Sequence, residues 1–129
     1  MSADRAALVR RAYEEWNAGG VPAFFAWMAE AIELRDPPQL PDAGDWRGRA
    51  EVTRRLDEVA TAVGGSSVEL RDVRVLGNEV LVVMDWQRQG TGGSASLGAV
   101  YHLVRLTGDR IDRVRVFLTE EDALDADAS

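Results

Sequence analysis

A chain of 129 residues with 15 basic and 22 acidic side chains carries a formal charge of −7, which argues against nucleic acid as a partner, because binding a polyanion calls for a basic face. There is no cysteine, every basic residue is arginine and there is one histidine; disulfides, thiol nucleophiles, Schiff-base lysines and multi-histidine metal sites are therefore not expected. No apolar run approaches the ~20 residues of a membrane span, and Met1-Ser-Ala-Asp-Arg5 lacks the apolar core of a signal peptide. The expectation is a cytoplasmic chain of one domain, 1–129, with neither membrane nor nucleic-acid partner. No metal or cofactor is expected: Gly90-Thr-Gly-Gly93 lacks the following lysine or helix signal of a phosphate loop.

Residues 3–17 read as a helix, with Val9, Tyr13 and Trp16 at i, i+4, i+7, and Leu8 and Ala12 beside them. Asn17-Ala-Gly-Gly20 ends it. Pro22 opens a second short helix, Ala23 to Glu30, proline being pre-set for the first turn. Ile32 to Asp36 reads as a short strand halted by Pro37-Pro38. A loop, Gln39 to Trp46, leads to a third helix from about Arg49 to Val63, striped by Val52, Leu56, Val59 and Val63 and stopped at Gly64-Gly65. Four strands follow: Ser67–Leu76, Glu79–Gln89, Ala95–Leu106 and Arg110–Leu118. Gly77-Asn78 and Gly108-Asp109 are hairpin turns, and Gly90 to Ser94 a looser one. The tail, residues 119–129, has five acids and no base and reads as solvated, with no specific role. Helices followed by an antiparallel meander define an α+β domain with its helices on one face of a curved sheet.

Alternation along the last two strands sorts their side chains. Val100, His102, Val104 and Leu106 share one face, answered by Asp112, Val114, Val116 and Leu118. The opposite face takes Tyr101, Leu103, Ile111, Arg113, Arg115 and Phe117. The single histidine thus stands on an aliphatic inner face, either as a polar group lining a cavity or as a packed ring satisfied by Tyr13, Asp36 or water. Asp36, ahead of two prolines, either faces the same interior or hydrogen-bonds local amides to fix its turn.

Five stretches, in this order and spacing, carry a resemblance: Tyr13-Glu-Glu-Trp-Asn-Ala-Gly-Gly20, Leu34-Arg-Asp-Pro37, Trp46-Arg-Gly-Arg49, Asp109-Arg-Ile-Asp-Arg-Val-Arg-Val-Phe117 and Glu121-Asp-Ala-Leu124. Together they resemble the NTF2-like superfamily, and within it the SnoaL-like branch that includes polyketide cyclases. The resemblance implies a cone-shaped barrel in which three N-terminal helices pack on a strongly curved, mostly antiparallel sheet around a deep apolar pocket. It also implies a homodimer through the convex face of the sheet.

Asp36 falls where the related ketosteroid isomerases place a general base, and His102 where they carry a hydrogen-bonding acid. Their first-helix tyrosine corresponds to Ala12, with Tyr13 about 100° further round. Cyclases of the family pair a histidine at the position of His102 with an aspartate on the next strand, and epoxide hydrolases use that aspartate too; here the position is Val116, which moves no proton. The cyclase and epoxide-hydrolase schemes are therefore disfavoured. Expected ligand contacts are Tyr13, Trp16, Trp46, Trp86, Val100, Val114 and Val116, whose aromatic and aliphatic walls suit a small apolar molecule. Two functions remain open. One is a binding domain for such a molecule; the other is a cofactor-free isomerase, dehydratase or lyase on a small carbonyl compound, with Asp36 as base and His102 as oxyanion donor.

Overall fold

The computed structural model describes residues 2–62, 67–90 and 93–128. Helix α1 spans Ser2–Gly19 and buries Val9, Ala12, Tyr13 and Trp16 along one face. Its end is set by Gly20, whose φ of 76° few side chains tolerate. The Asn17 amide clasps the backbone N–H and C=O of Val68 and ties the helix to the sheet. Helix α2 is one turn, Val21–Phe25. It stops well short of the predicted Glu30, and strand β1 begins at Met28 and runs to Arg35. Tertiary pairing explains the difference: β1 lies parallel to the final strand, and the Ile111 N–H donates to Trp27 O at 2.8 Å. Of the four strand residues ahead of the predicted Ile32, Met28 gains a sheet partner, Ile111, that no local pattern announces.

Strand β2, Asp45–Arg47, lies antiparallel to β1 and overlaps the end of the Gln39–Trp46 stretch predicted as loop. Three residues are too few to show alternation. Gly48, at φ 87°, turns the chain into α3, Arg49–Ala62. Val52 and Leu56 are buried as the stripe requires, Val59 is half-buried, and Arg55 is unexpectedly buried between them. Val63 and the Gly64-Gly65 stop lie outside the described residues. Strands β3 (Ser67–Leu76), β4 (Glu79–Gly90), β5 (Gly93–Thr107) and β6 (Arg110–Phe117) form the meander. The tip of the predicted Gly90–Ser94 turn falls on residues 91–92, outside the described set. The six strands order as β2-β1-β6-β5-β4-β3, antiparallel except for β1 with β6.

The inner face carries Val80, Val82, Met84, Trp86, His102, Val104 and Val114, buried against α1 and α3. The predicted parity fails at one place. A register shift between Arg105 and Leu106 pairs Leu106 with Ile111 and Arg105 with Arg113, so Asp112 is the extra residue of a bulge. Ile111, expected outside, is wholly buried in the core, while Asp112, expected inside, pairs with Arg105 Nε at 2.7 Å and with the Thr107 hydroxyl. The acidic tail is also more than solvated chain. Glu120–Ala128 forms α4, capped by Thr119 Oγ1, which accepts from Asp122 N at 3.1 Å. Its Ala123 is fully buried on the outer face against Leu81 and Leu103, flanked by Tyr101 and Phe117.

Candidate functional site

Between α3 and the inner sheet face lies a cavity of about 190 Å³. Leu34, Asp36, Pro37 and Leu40 come from β1 and the chain after it, Leu56 and Val59 from α3, and Trp86, Val100, His102, Val116 and Leu118 from the meander. Most of the wall is hydrocarbon. Its polar groups are Asp36 and His102, each held by other groups, and the Trp86 indole, whose Nε1 is buried without a partner.

His102 enters the inner face because β5 pairs it with Val82 on β4 and Val116 on β6. It is 2% exposed, and its Nδ1 lies 2.8 Å from the Tyr13 hydroxyl on α1. Burial pushes the imidazole pKa from 6.5 down to about 3, so the ring is neutral at physiological pH. Burial also raises the Tyr13 phenol above its ordinary value, keeping it protonated. Tyr13 is braced edge-on by Phe24, with ring centroids 5.1 Å apart. Trp16 continues the aromatic row to Trp86 at 6.2 Å and 87°.

Asp36 is tightly engaged. Its Oδ2 accepts from Trp46 Nε1 at 2.9 Å, Gly44 N at 3.2 Å, and Arg55 Nε at 3.1 Å, and forms an ion pair with Arg55 Nη2 at 2.9 Å. The other oxygen, Oδ1, meets Arg55 Nε at 3.4 Å. The two side chains are 4% and 6% exposed. Arg55 also reaches Asp42 Oδ2 at 2.9 Å, and hydrogen bonds to Asp42 and then Asp36 raise its pKa. Two guanidinium groups lie over the Trp46 ring, Arg55 at 5.2 Å and Arg54 at 5.5 Å from its centroid. These contacts lock the carboxylate in its turn through Oδ2, while Oδ1 keeps one long contact to Arg55.

Of the predicted site residues, His102, Asp36, Trp86, Val100 and Val116 meet at this one cavity. Four do not line it. Tyr13 stands behind His102, Trp16 and Val114 belong to the core, and Trp46 serves Asp36. Sequence reasoning missed Leu34, Pro37, Leu40, Leu56, Val59 and Leu118 as wall residues, and it missed Arg55. The signal for Arg55 was present: it sits at i+3 from Val52 and i−4 from Val59, on the apolar stripe. Among the described residues no group of three or more His, Cys, Asp or Glu side chains is placed to hold a metal, and no helix is long and apolar enough to cross a membrane.

Helices on a curved, mostly antiparallel six-stranded sheet define an α+β NTF2-like fold. The chain belongs to the SnoaL-like domain family, whose model matches residues 9–114. Among solved structures it is similar to Bal32a from a soil-derived mobile gene cassette, at 19% identity and a TM-score of 0.75 over 97% of this chain and 96% of that one. An NTF2-like protein of unknown function from Burkholderia pseudomallei matches at 19% identity and TM-score 0.70, over 95% of each chain. A candidate SnoaL-like polyketide cyclase from Jannaschia sp. CCS1 matches at 15% identity and TM-score 0.72, over 97% and 91%. At such identities the likeness is one of fold. No curated protein matches the sequence.

Proposed function

We propose that this SnoaL-like domain binds a small apolar molecule in the cavity between α3 and the inner sheet face and breaks no bond in it. The observation that supports this reading is the state of the two titratable wall residues. Asp36 is held through Oδ2 by Arg55, Trp46 and Gly44, and the buried His102 ring stays neutral, so the pair is not free to move as an acid and a base. At a packing density of about 0.74, a cavity of about 190 Å³ accommodates one or two fused rings. Trp86 borders it, which makes tryptophan fluorescence the assay. Titration with 1-indanone is expected to quench emission saturably and raise the melting temperature, and Val116→Trp, which fills the cavity, to abolish both. Equal binding by that variant overturns the reading.

The alternative is a cofactor-free isomerase or lyase with Asp36 as base and His102 as oxyanion donor; in its favour, both line one cavity. Deuterium wash-in at the α-carbon of 1-indanone in D2O, lost in Asp36→Asn, would establish it. The partner reading adds a second copy of this chain on the convex face beside α4. Its support is the charged row on that face, where Arg113 and Arg115 share Glu79 and the Arg47 and Arg105 side chains remain accessible.

A further inference from the structure

We propose that Tyr13 is a positioning residue that fixes His102 as a neutral hydrogen-bond donor through Nε2, and that the cavity therefore takes a neutral ring compound bearing a carbonyl-type acceptor. This rests on the reading of the cavity as a ligand site.

Consider the hydroxyl first. Tyr13 is 0% exposed, and its Oη has one hydrogen-bond partner among the described residues, His102 Nδ1 at 2.8 Å. A buried hydroxyl left without an acceptor loses its hydration for nothing. If Nδ1 carried the proton, it would donate to Oη and the phenolic hydrogen would have no acceptor. The arrangement that satisfies both groups is O–H donating to the Nδ1 lone pair. A neutral imidazole with a bare Nδ1 carries its hydrogen on Nε2. Burial, which opposes both the imidazolium and the phenolate, keeps the pair in this form.

Trp86 Nε1 on the same wall is buried without a partner, and His102 Nε2, facing the cavity, likewise has no acceptor among the described residues. Its N–H is thus an unmet donor in hydrocarbon surroundings, and a carbonyl oxygen is the group that completes it. Charge narrows the class further. Arg55, the cation behind the wall, is shared by the Asp36 and Asp42 carboxylates. A carboxylate ligand would meet Asp36 with no uncommitted cation on the cavity wall among the described residues, so the ligand is neutral.

The chain has one histidine, so long-range proton–nitrogen NMR of the labelled protein reads a single imidazole. Without ligand at pH 7, one nitrogen of the protonated type and one hydrogen-bonded imine nitrogen are expected, assigned to Nε2 and Nδ1. In Tyr13→Phe the Nδ1 signal moves to the free-imine position, a change that loss of packing alone does not give. Protonation on Nδ1 in the wild-type protein overturns the proposal whether or not anything binds. Three probes then test the cavity: 1-indanone, indane and indane-1-carboxylate. Indanone should shift the Nε2 resonance, and His102→Leu should weaken it roughly three- to tenfold, the worth of one hydrogen bond, with indane unaffected. Tighter binding of the carboxylate, or indanone binding with Nε2 unmoved, overturns the donor assignment and leaves the ligand-site reading standing. Binding of none of the three overturns that reading, and the ligand class falls with it.

Discussion

At the scale of single residues, pH tests His102 and mutation tests Asp36. His102 is held near a pKa of about 3 against 6.5 in an unfolded chain. Between those values the unfolded state takes up a proton that the native state refuses, so this contribution is complete above pH 6.5 and is lost as the pH falls. Lowering the pH from 6.5 to 5 should remove about 2 kcal/mol, at about 1.4 kcal/mol per unit. Urea denaturation at stepped pH measures it, and His102→Gln should flatten the curve; carboxylates, with reference values near 4, contribute mainly below that range. A flat wild-type profile would falsify the buried neutral imidazole. Asp36 behaves as half of a buried ion pair. Arg55→Leu leaves a desolvated carboxylate and should cost about 3 kcal/mol, whereas Arg55→Leu combined with Asp36→Asn should cost less than the single change. A double-mutant cycle with coupling under about 0.5 kcal/mol would show the pair to be independent. The sequence made His102 legible because one imidazole interrupts an aliphatic face. It left Asp36 ambiguous because its neighbours Trp46 and Arg55 arrive from β2 and α3, through contacts that sequence spacing does not encode.

Among elements, α3 and the strands β3 to β6 were readable from periodicity, since each buries a regular face. The errors fall where an element gains its stability from something distant. Strand β1 is stabilised by parallel pairing across more than 70 residues of chain, with Leu34 opposite Val114. The bulge at Asp112 reverses parity because a buried Ile111 and an Arg105–Asp112 pair together outweigh a continuous ladder. Helix α4 looked like a solvated acidic run, yet acids in a first turn suit the helix dipole, and Glu120, Glu121 and Asp122 all stand there behind the Thr119 cap. Thr119→Ala should therefore cost about 1 kcal/mol and speed amide exchange in α4, while the exchange of Val82 and Val104 in the sheet interior stays unchanged. Equal acceleration in both places would mean that α4 unfolds only with the whole domain.

For the whole molecule, the sheet separates two tasks. Its concave face holds the cavity and the Tyr13–His102 pair; its convex face holds charge. Register aligns Arg47, Glu33, Arg113, Arg105 and Glu79 across five neighbouring strands, and Arg113 and Arg115 both donate to Glu79 Oε1, at 2.9 and 2.6 Å. That cluster is largely buried within the chain, whereas the Arg47, Glu33 and Arg105 side chains of the same row stay accessible to a partner. A two-fold axis brings such a row against its own reverse, which sets Arg47 against Glu79 and Glu33 against Arg105 of the other copy, with Arg113 facing its own counterpart. Helix α4 covers only the Leu81–Leu103 end. The expected outcome is a dimer by sedimentation velocity at micromolar concentration and low salt. Because its contacts are ionic, the dimer should loosen toward 1 M salt, where screening shortens to about 3 Å. A monomer at low salt would remove the convex face as an interface and leave the cavity argument intact, since no residue of that row lines the cavity.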